Sequence, residues 1–158
     1  MTDQSNTEPG FPLRLTRLIN APVDLVYKAW TQHLAEWFAP RPLTTHLQEV
    51  DMRPGGRFRF TMKDPNGPEY PCDGVFLDVV PNRRIVSTDA FLPGWVPSGK
   101  PFMVAVTTFE AEGDKTRYTA TAMHWSEADR KAHEEMGFHP GWNQVADQLE
   151  ELVARLKG

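Results

Sequence analysis

The sequence predicts an α+β fold in which a meandering antiparallel sheet carries one long helix. Three observations lead there. Short segments of strand character follow one another at close spacing through the middle of the chain, separated by Pro/Gly/Asn turns. Helical patterns are confined to two places, just after the first strand and at the end. The last stretch, residues 137–156, is the only long segment of helical period. In it Trp142, Val145, Ala146, Leu149, Leu152, Val153 and Leu156 recur at i, i+3, i+4, i+7 spacing, with Asn143, Gln144, Asp147, Gln148, Glu150, Glu151 and Arg155 opposite. A helix of about 18 residues, roughly 27 Å long, needs a broad apolar partner, and the sheet is the one available.

In chain order, residues 13–19 read as a strand, with Leu13 and Leu15 alternating against Arg14 and Thr16. Asn20-Ala21-Pro22 breaks it, and Pro22 opens a helix with Val23, Val26, Tyr27 and Trp30 on one side. A short helical piece follows at 34–38 and stops at Ala39-Pro40. Residues 43–52 are a strand candidate ended by Pro54-Gly55-Gly56. Residues 57–63 alternate cleanly, Phe58, Phe60 and Met62 against Arg57, Arg59, Thr61 and Lys63. Asp64-Pro65-Asn66-Gly67-Pro68 is a turn. Strands are then expected at 74–80, 84–91, 102–111 and 116–124, the last two joined by the tight hairpin Glu112-Gly113-Asp114-Lys115. Ser126 caps a short helix that Gly137 ends. Residues 92–101 are too rich in Pro and Gly for regular structure.

The composition bounds the function. A chain of 158 residues builds one core without staples, so a single domain is expected over residues 11–158, preceded by a polar, frayed stretch at 1–10. A net charge of -4 argues against nucleic acid, whose binders carry a basic patch. The single cysteine, Cys72, leaves no internal disulfide and suits a reducing compartment. No signal peptide and no apolar run of membrane-spanning length is visible, so a cytoplasmic location is expected.

Several segments together resemble the START-like (Bet v1-like, helix-grip, or SRPBCC) superfamily. They are Ile19-Asn20-Ala21-Pro22 with Val26 and Trp30, Ala35-Glu36-Trp37-Phe38-Ala39-Pro40, Asp51-Met52-Arg53-Pro54-Gly55-Gly56-Arg57-Phe58, Gly74-Val75-Phe76-Leu77-Asp78-Val79-Val80-Pro81, Phe109 to Gly113 and Thr116, and Gly141-Trp142 with Leu149-Glu150-Glu151-Leu152. The ordered set is most similar to the branch related to the C-terminal domain of the activator of the Hsp90 ATPase, over residues 13–156. The resemblance implies a sheet of six or seven antiparallel strands gripping the last helix, two short helices after the first strand, and a cavity between sheet and helix. It does not imply one activity, because function on a shared fold is set by the site.

The leading expectation is therefore a small hydrophobic or aromatic ligand held in that cavity. The candidate lining is Trp37, Phe58, Phe60, Tyr118, His124 and Trp142, each of which also suits a packed core. Ala120 and Ala122, on the face of Tyr118 and His124, either make room for a ligand or let the last helix pack closely. Trp95, in the Pro/Gly loop, is expected as a lid over the cavity mouth, as a contact with another chain (a second copy included), or simply packed on the sheet edge. His124, His133 and His139 fall close together in sequence, without metal-ligand spacing, so neither a metal nor another cofactor is expected. His133 has Asp129 one turn away, so an exposed ion pair is one reading. Two alternatives stand beside the carrier: an interaction module docking on an Hsp90-type chaperone, and a cyclase- or hydrolase-type enzyme using His124 or a buried carboxylate to move a proton. Cys72 has no activating partner in the sequence and reads as a structural thiol.

Overall fold

The computed structural model describes residues 8–99 and 101–157. Its elements are β1 (Leu13–Ile19), α1 (Val23–Gln32), a 3-10 helix (Leu34–Glu36), β2 (Thr44–Val50), β3 (Arg57–Lys63), β4 (Glu69–Val80), β5 (Arg84–Thr88), β6 (Phe91–Leu92), β7 (Val96–Pro97), β8 (Val104–Glu112), β9 (Lys115–Met123), α2 (Glu127–Glu135) and α3 (Phe138–Lys157). Seven strands form one sheet in the order β1-β9-β8-β5-β4-β3-β2, every neighbouring pair antiparallel. β6 and β7 pair as a separate small hairpin. The expected frayed stretch at 1–10 falls mainly outside the described residues. At its end Glu8 pairs with Arg14 and the Gly10 carbonyl accepts the His124 amide at 2.6 Å.

The alternation read in β3 and β1 becomes the inner face of the sheet. Phe58 and Phe60 are buried on β3, as are Leu13, Leu15 and Ile19 on β1 and Tyr118, Ala120 and Ala122 on β9. Because opposed residues share a face, the register carries this surface across the sheet as Leu13↔Ala122↔Ala105↔Ser87↔Phe76 in one row and Leu15↔Ala120↔Thr107↔Ile85↔Val79 in the next. α1 adds Val26, Ala29 and Trp30, and α3 adds Ala146, Leu149, Leu152 and Val153. Each of these side chains contributes about 1.5–3 kcal/mol where it is large and fully buried. Arg17, on the same inner face, fixes α3 against β1: its guanidinium donates to Asp147 at 2.5 Å, to Glu150 at 2.6 Å and to the Asn143 carbonyl at 2.9 Å.

Some elements differ from their expected extent. β4 begins at Glu69 rather than Gly74 and runs through Pro71. Pro71 is tolerated because β5 pairs with β4 only from Val75 onward, so this half of β4 is an edge and no ladder bond is lost on its open side. The chain leaves that ladder against Gly74, where a Cβ would stand 2.1 Å from the Thr88 carbonyl oxygen; only glycine lets the two backbones pass. The stretch at 92–101, expected to be irregular, contributes Leu92 of β6 and both residues of β7 to the β6–β7 hairpin. On α3, Gln148 is buried although its neighbours on the polar face are not, and Leu156, on the apolar stripe, is exposed near the end of the helix.

Candidate functional site

The seven residues singled out in the sequence fall into three places. Trp37, Phe58 and Phe60 share one aromatic cluster: Phe38 stands edge-on to Trp37 and to Phe60, 5.4 Å from each, and Phe58 stacks on Phe76 at 4.7 Å. Tyr118 joins this cluster through Trp30, whose Nε1 donates to the phenol oxygen at 3.4 Å. Trp37 also donates through Nε1 to the Ala29 carbonyl at 3.1 Å. These rings are packed in the core. Burial pushes the Tyr118 phenol up to about 12, which keeps it protonated at neutral pH.

His124 and Trp142 form the second group, joined by His133. His124 Nε2 lies 2.9 Å from His133 Nδ1, and His124 Nδ1 lies 2.9 Å from the Phe11 carbonyl. The carbonyl can only accept, so with both rings uncharged His124 donates from Nδ1 and receives the His133 N–H at Nε2. Trp142 and Phe138 pack on the other side of His133. The partner of His133 is therefore His124, not Asp129, because His133 turns into the protein while Asp129 faces solvent. Burial, with the neighbouring His124, drives the His133 ring down to about 4, which makes it a weak base at neutral pH. His139 pairs instead with exposed Glu134 at 3.0 Å.

Trp95 stands apart. It is 53% exposed at the tip of the β6–β7 hairpin, edge-on to Phe91 at 6.0 Å, with its indole over Gly55. Its φ of +61° is a conformation that costs a bulky residue on the order of 1 kcal/mol.

Several inner-face residues between the first half of α3 and the sheet are only half-buried. In the row Ala122–Ala105–Ser87, Ala122 is fully buried beside Trp142, whereas Ala105 and Ser87 are only half-buried. On the α3 side Trp142 and Val145 are also half-buried, in contrast to the buried Leu149, Leu152 and Val153. Met62 and Cys72 on β3 and β4 share the inner face and are half-buried too. Near them lies Thr45, which faces inward opposite Met62; its Oγ1 is buried with no hydrogen-bond partner among the described residues. Sequence reading passed over Thr45, although strand alternation against Met62 carries the signal. Burial and the charge of Asp89 raise the Cys72 thiol to about 11, so the thiolate needed for nucleophilic attack is scarce.

Two concavities lie elsewhere. One, about 190 Å³, is formed by the 3-10 helix and the β2–β3 end, with Leu34, Leu47, Val50 and Met52 beside the His33–Glu36 pair. The other, about 440 Å³, lies between the end of β1 and the tail of α3. None of the seven singled-out residues lines either. Among the described residues no group of three His, Cys, Asp or Glu is placed to hold a metal ion, and no helix is long and apolar enough to cross a membrane.

A seven-stranded antiparallel sheet with one long C-terminal helix and short helices after the first strand is the helix-grip architecture of the START-like superfamily. The chain belongs to the Activator of Hsp90 ATPase homolog 1-like protein family, whose model matches residues 20–154. Protein NE0264 from Nitrosomonas europaea is 40% identical, with 95% of this chain and 98% of that one covered and a TM-score of 0.89. The fold extends to a protein from Arthrobacter aurescens at 18% identity (92% and 87% covered, TM-score 0.80) and to protein Ms6760 from Mycobacterium smegmatis at 21% (93% of each covered, TM-score 0.78). No curated protein matches the chain.

Proposed function

We propose that this domain, residues 11–158, binds one small hydrophobic or aromatic molecule in the cleft between the head of α3 and the sheet. The observation that carries this reading is the contrast along α3. Leu149, Leu152 and Val153 are buried, while Trp142 and Val145 stay half-buried, as do the small residues Ala105 and Ser87 on the inner face of the sheet. Half-exposed apolar groups facing each other across a trough of small residues gain from a ligand that takes both out of water, at about 25 cal/mol per Å². In this reading Trp142 is a wall, Phe58 and Phe60 back the floor, and His124 holds Trp142 through His133. Trp37 and Tyr118 support the floor from behind, and Trp95 is no part of the cleft. Unpartnered Thr45 Oγ1 suits a ligand with one polar end. A cytoplasmic location goes with the proposal and fits Cys72 as a thiol. Native mass spectrometry and displacement of an anilinonaphthalene dye test it. A one-to-one complex and competitive displacement by apolar aromatics are expected; no dye uptake and no bound mass would refute it.

A second reading, docking on an Hsp90-type chaperone, is favoured by family membership and by the display of Trp95 and Val96 at a strained, exposed hairpin tip. It predicts that the domain changes the ATPase rate of such a chaperone and that Trp95→Ser removes the change.

A further inference from the structure

α2 is held to the rest of the molecule in an unusual way. Its sequence, Glu-Ala-Asp-Arg-Lys-Ala-His-Glu-Glu, has almost no apolar face, and His133 is its one buried residue. The imidazole does the work that leucine does in an ordinary amphipathic helix. It sits 4.7 Å from the Phe102 ring, 5.3 Å from Phe138 and 5.9 Å from Trp142, and gives its Nδ1 hydrogen to His124. His124 is in turn tied to the N-terminal segment through the Phe11 carbonyl. Both ends of α2 can absorb a movement: Ser126 caps the start, and Gly137, with φ +104°, separates it from α3.

Among the described residues, the charges around His133 leave nothing to hold a proton there. Just past the end of β9 it faces His124. On α2, Glu134 is engaged by Arg130 at 3.5 Å and by His139 of α3 at 3.0 Å, Asp129 is exposed, and Lys131 is exposed and of the wrong sign. In the segment before β8, Asp89 accepts the Phe102 and Met103 amides. In the N-terminal segment Glu8 is paired with Arg14. One further proton on the uncharged pair would set one N–H against another, or place a charge among three aromatic rings without a carboxylate partner.

We propose that the His124–His133 hydrogen bond is a proton-operated latch: protonation of the pair releases α2 from Phe102, Phe138 and Trp142 and uncovers the head of α3, while the sheet stays folded. The direction follows from linkage. The docked ring takes a proton only near pH 4, against 6.5 when released, so the released form binds more protons between these values and docking weakens as pH falls through that window. At tenfold per pH unit the effect approaches about 300-fold well below pH 4, about half of that factor is reached at pH 4, and little of it is present above 6.5.

Hydrogen exchange of the α2 amides, expressed as protection relative to the free peptide and followed from pH 7 to 4, tests this. Protection in α2 is expected to fall by roughly 100-fold over this range while amides of β8 and β9 keep theirs. His133→Leu, which fills the space and takes no proton, is expected to show a flat α2 profile. The latch is refuted if α2 protection does not change with pH, if it falls only together with the sheet, or if His133→Leu falls as the natural chain does. Should His133→Leu not fold, carbon-13 shifts of the His133 ring in the unsubstituted protein decide. Ring titration that coincides with loss of α2 protection supports the latch, and titration without that loss overturns it.

Discussion

Replacing Trp37 with alanine is expected to lower the stability of the domain by about 3–5 kcal/mol, the range for emptying a buried large aromatic site. Trp37 is 2% exposed and edge-on to both Trp30 and Phe38, so the space it leaves is walled by rings that cannot collapse into it. The change also removes one of the two hydrogen bonds at the Ala29 carbonyl, which loses the indole N–H and keeps the His33 amide. In a chain of this size such a loss lowers the melting temperature by roughly 10 °C or more. Urea unfolding measures it directly, with the midpoint shifted and the slope retained. Trp37→Phe, which keeps most of the packing and loses the hydrogen bond, falls between. Trp95→Ala, at the exposed hairpin tip, is expected to stay within about 0.5 kcal/mol.

Gln148→Leu is expected to cost about 3 kcal/mol although it replaces a polar side chain with an apolar one in a buried place. Gln148 Nε2 donates to the Trp37 and Ala39 carbonyls at 2.9 and 2.7 Å, and its Oε1 accepts the Arg41 amide at 3.0 Å. One side chain thus satisfies three backbone groups of the segment that runs from the 3-10 helix into β2. A leucine matches its bulk but leaves those groups without partners, at about 1–3 kcal/mol for each one that water does not reach. Gln148→Glu gives a sharper result. It keeps the acceptor for Arg41 but turns a carboxylate toward two carbonyl oxygens, so its loss at neutral pH is expected to exceed that of leucine and to shrink as the carboxyl protonates in acid. Thermal unfolding at pH 7 and pH 4.5 checks the sign.

These two residues show why part of the structure was legible and part was not. β1 and β3 keep the bounds expected from alternation, because an inward apolar and outward charged pattern is a local property of seven residues. The same holds for the Ser126 cap and for the two-residue turn between β8 and β9, where Glu112 pairs with Lys115. Gln148 reads as solvent-facing because helical period knows nothing of the backbone laid over it; its burial depends on carbonyls about 110 positions away. His133 reads as an exposed neighbour of Asp129 for the same reason, and its true partner, just past the end of the preceding strand, becomes visible only when α2 folds back over Phe102. β4 starts earlier than expected because Pro71 is forbidden in a central strand but not where β5 is absent. Of the cleft, the sequence marked Trp142 and the small alanines of β9. The half-buried small positions lie one and two strands further on, at Ala105 on β8 and Ser87 on β5, and their place depends on sheet order rather than on any local pattern.

The central claim is that the working cavity lies between the head of α3 and the row through Ala105 and Ser87. Ala105→Phe tests it most directly, since a ring grown from a half-exposed floor position fills the trough instead of overpacking a closed core. The measurement is dye affinity in the natural chain and in this variant, alongside thermal unfolding to establish that both are folded. The account predicts that affinity falls at least about tenfold, roughly 1.4 kcal/mol, while the melting temperature changes little. Equal dye affinity in the two folded proteins would place the ligand elsewhere and contradict the account.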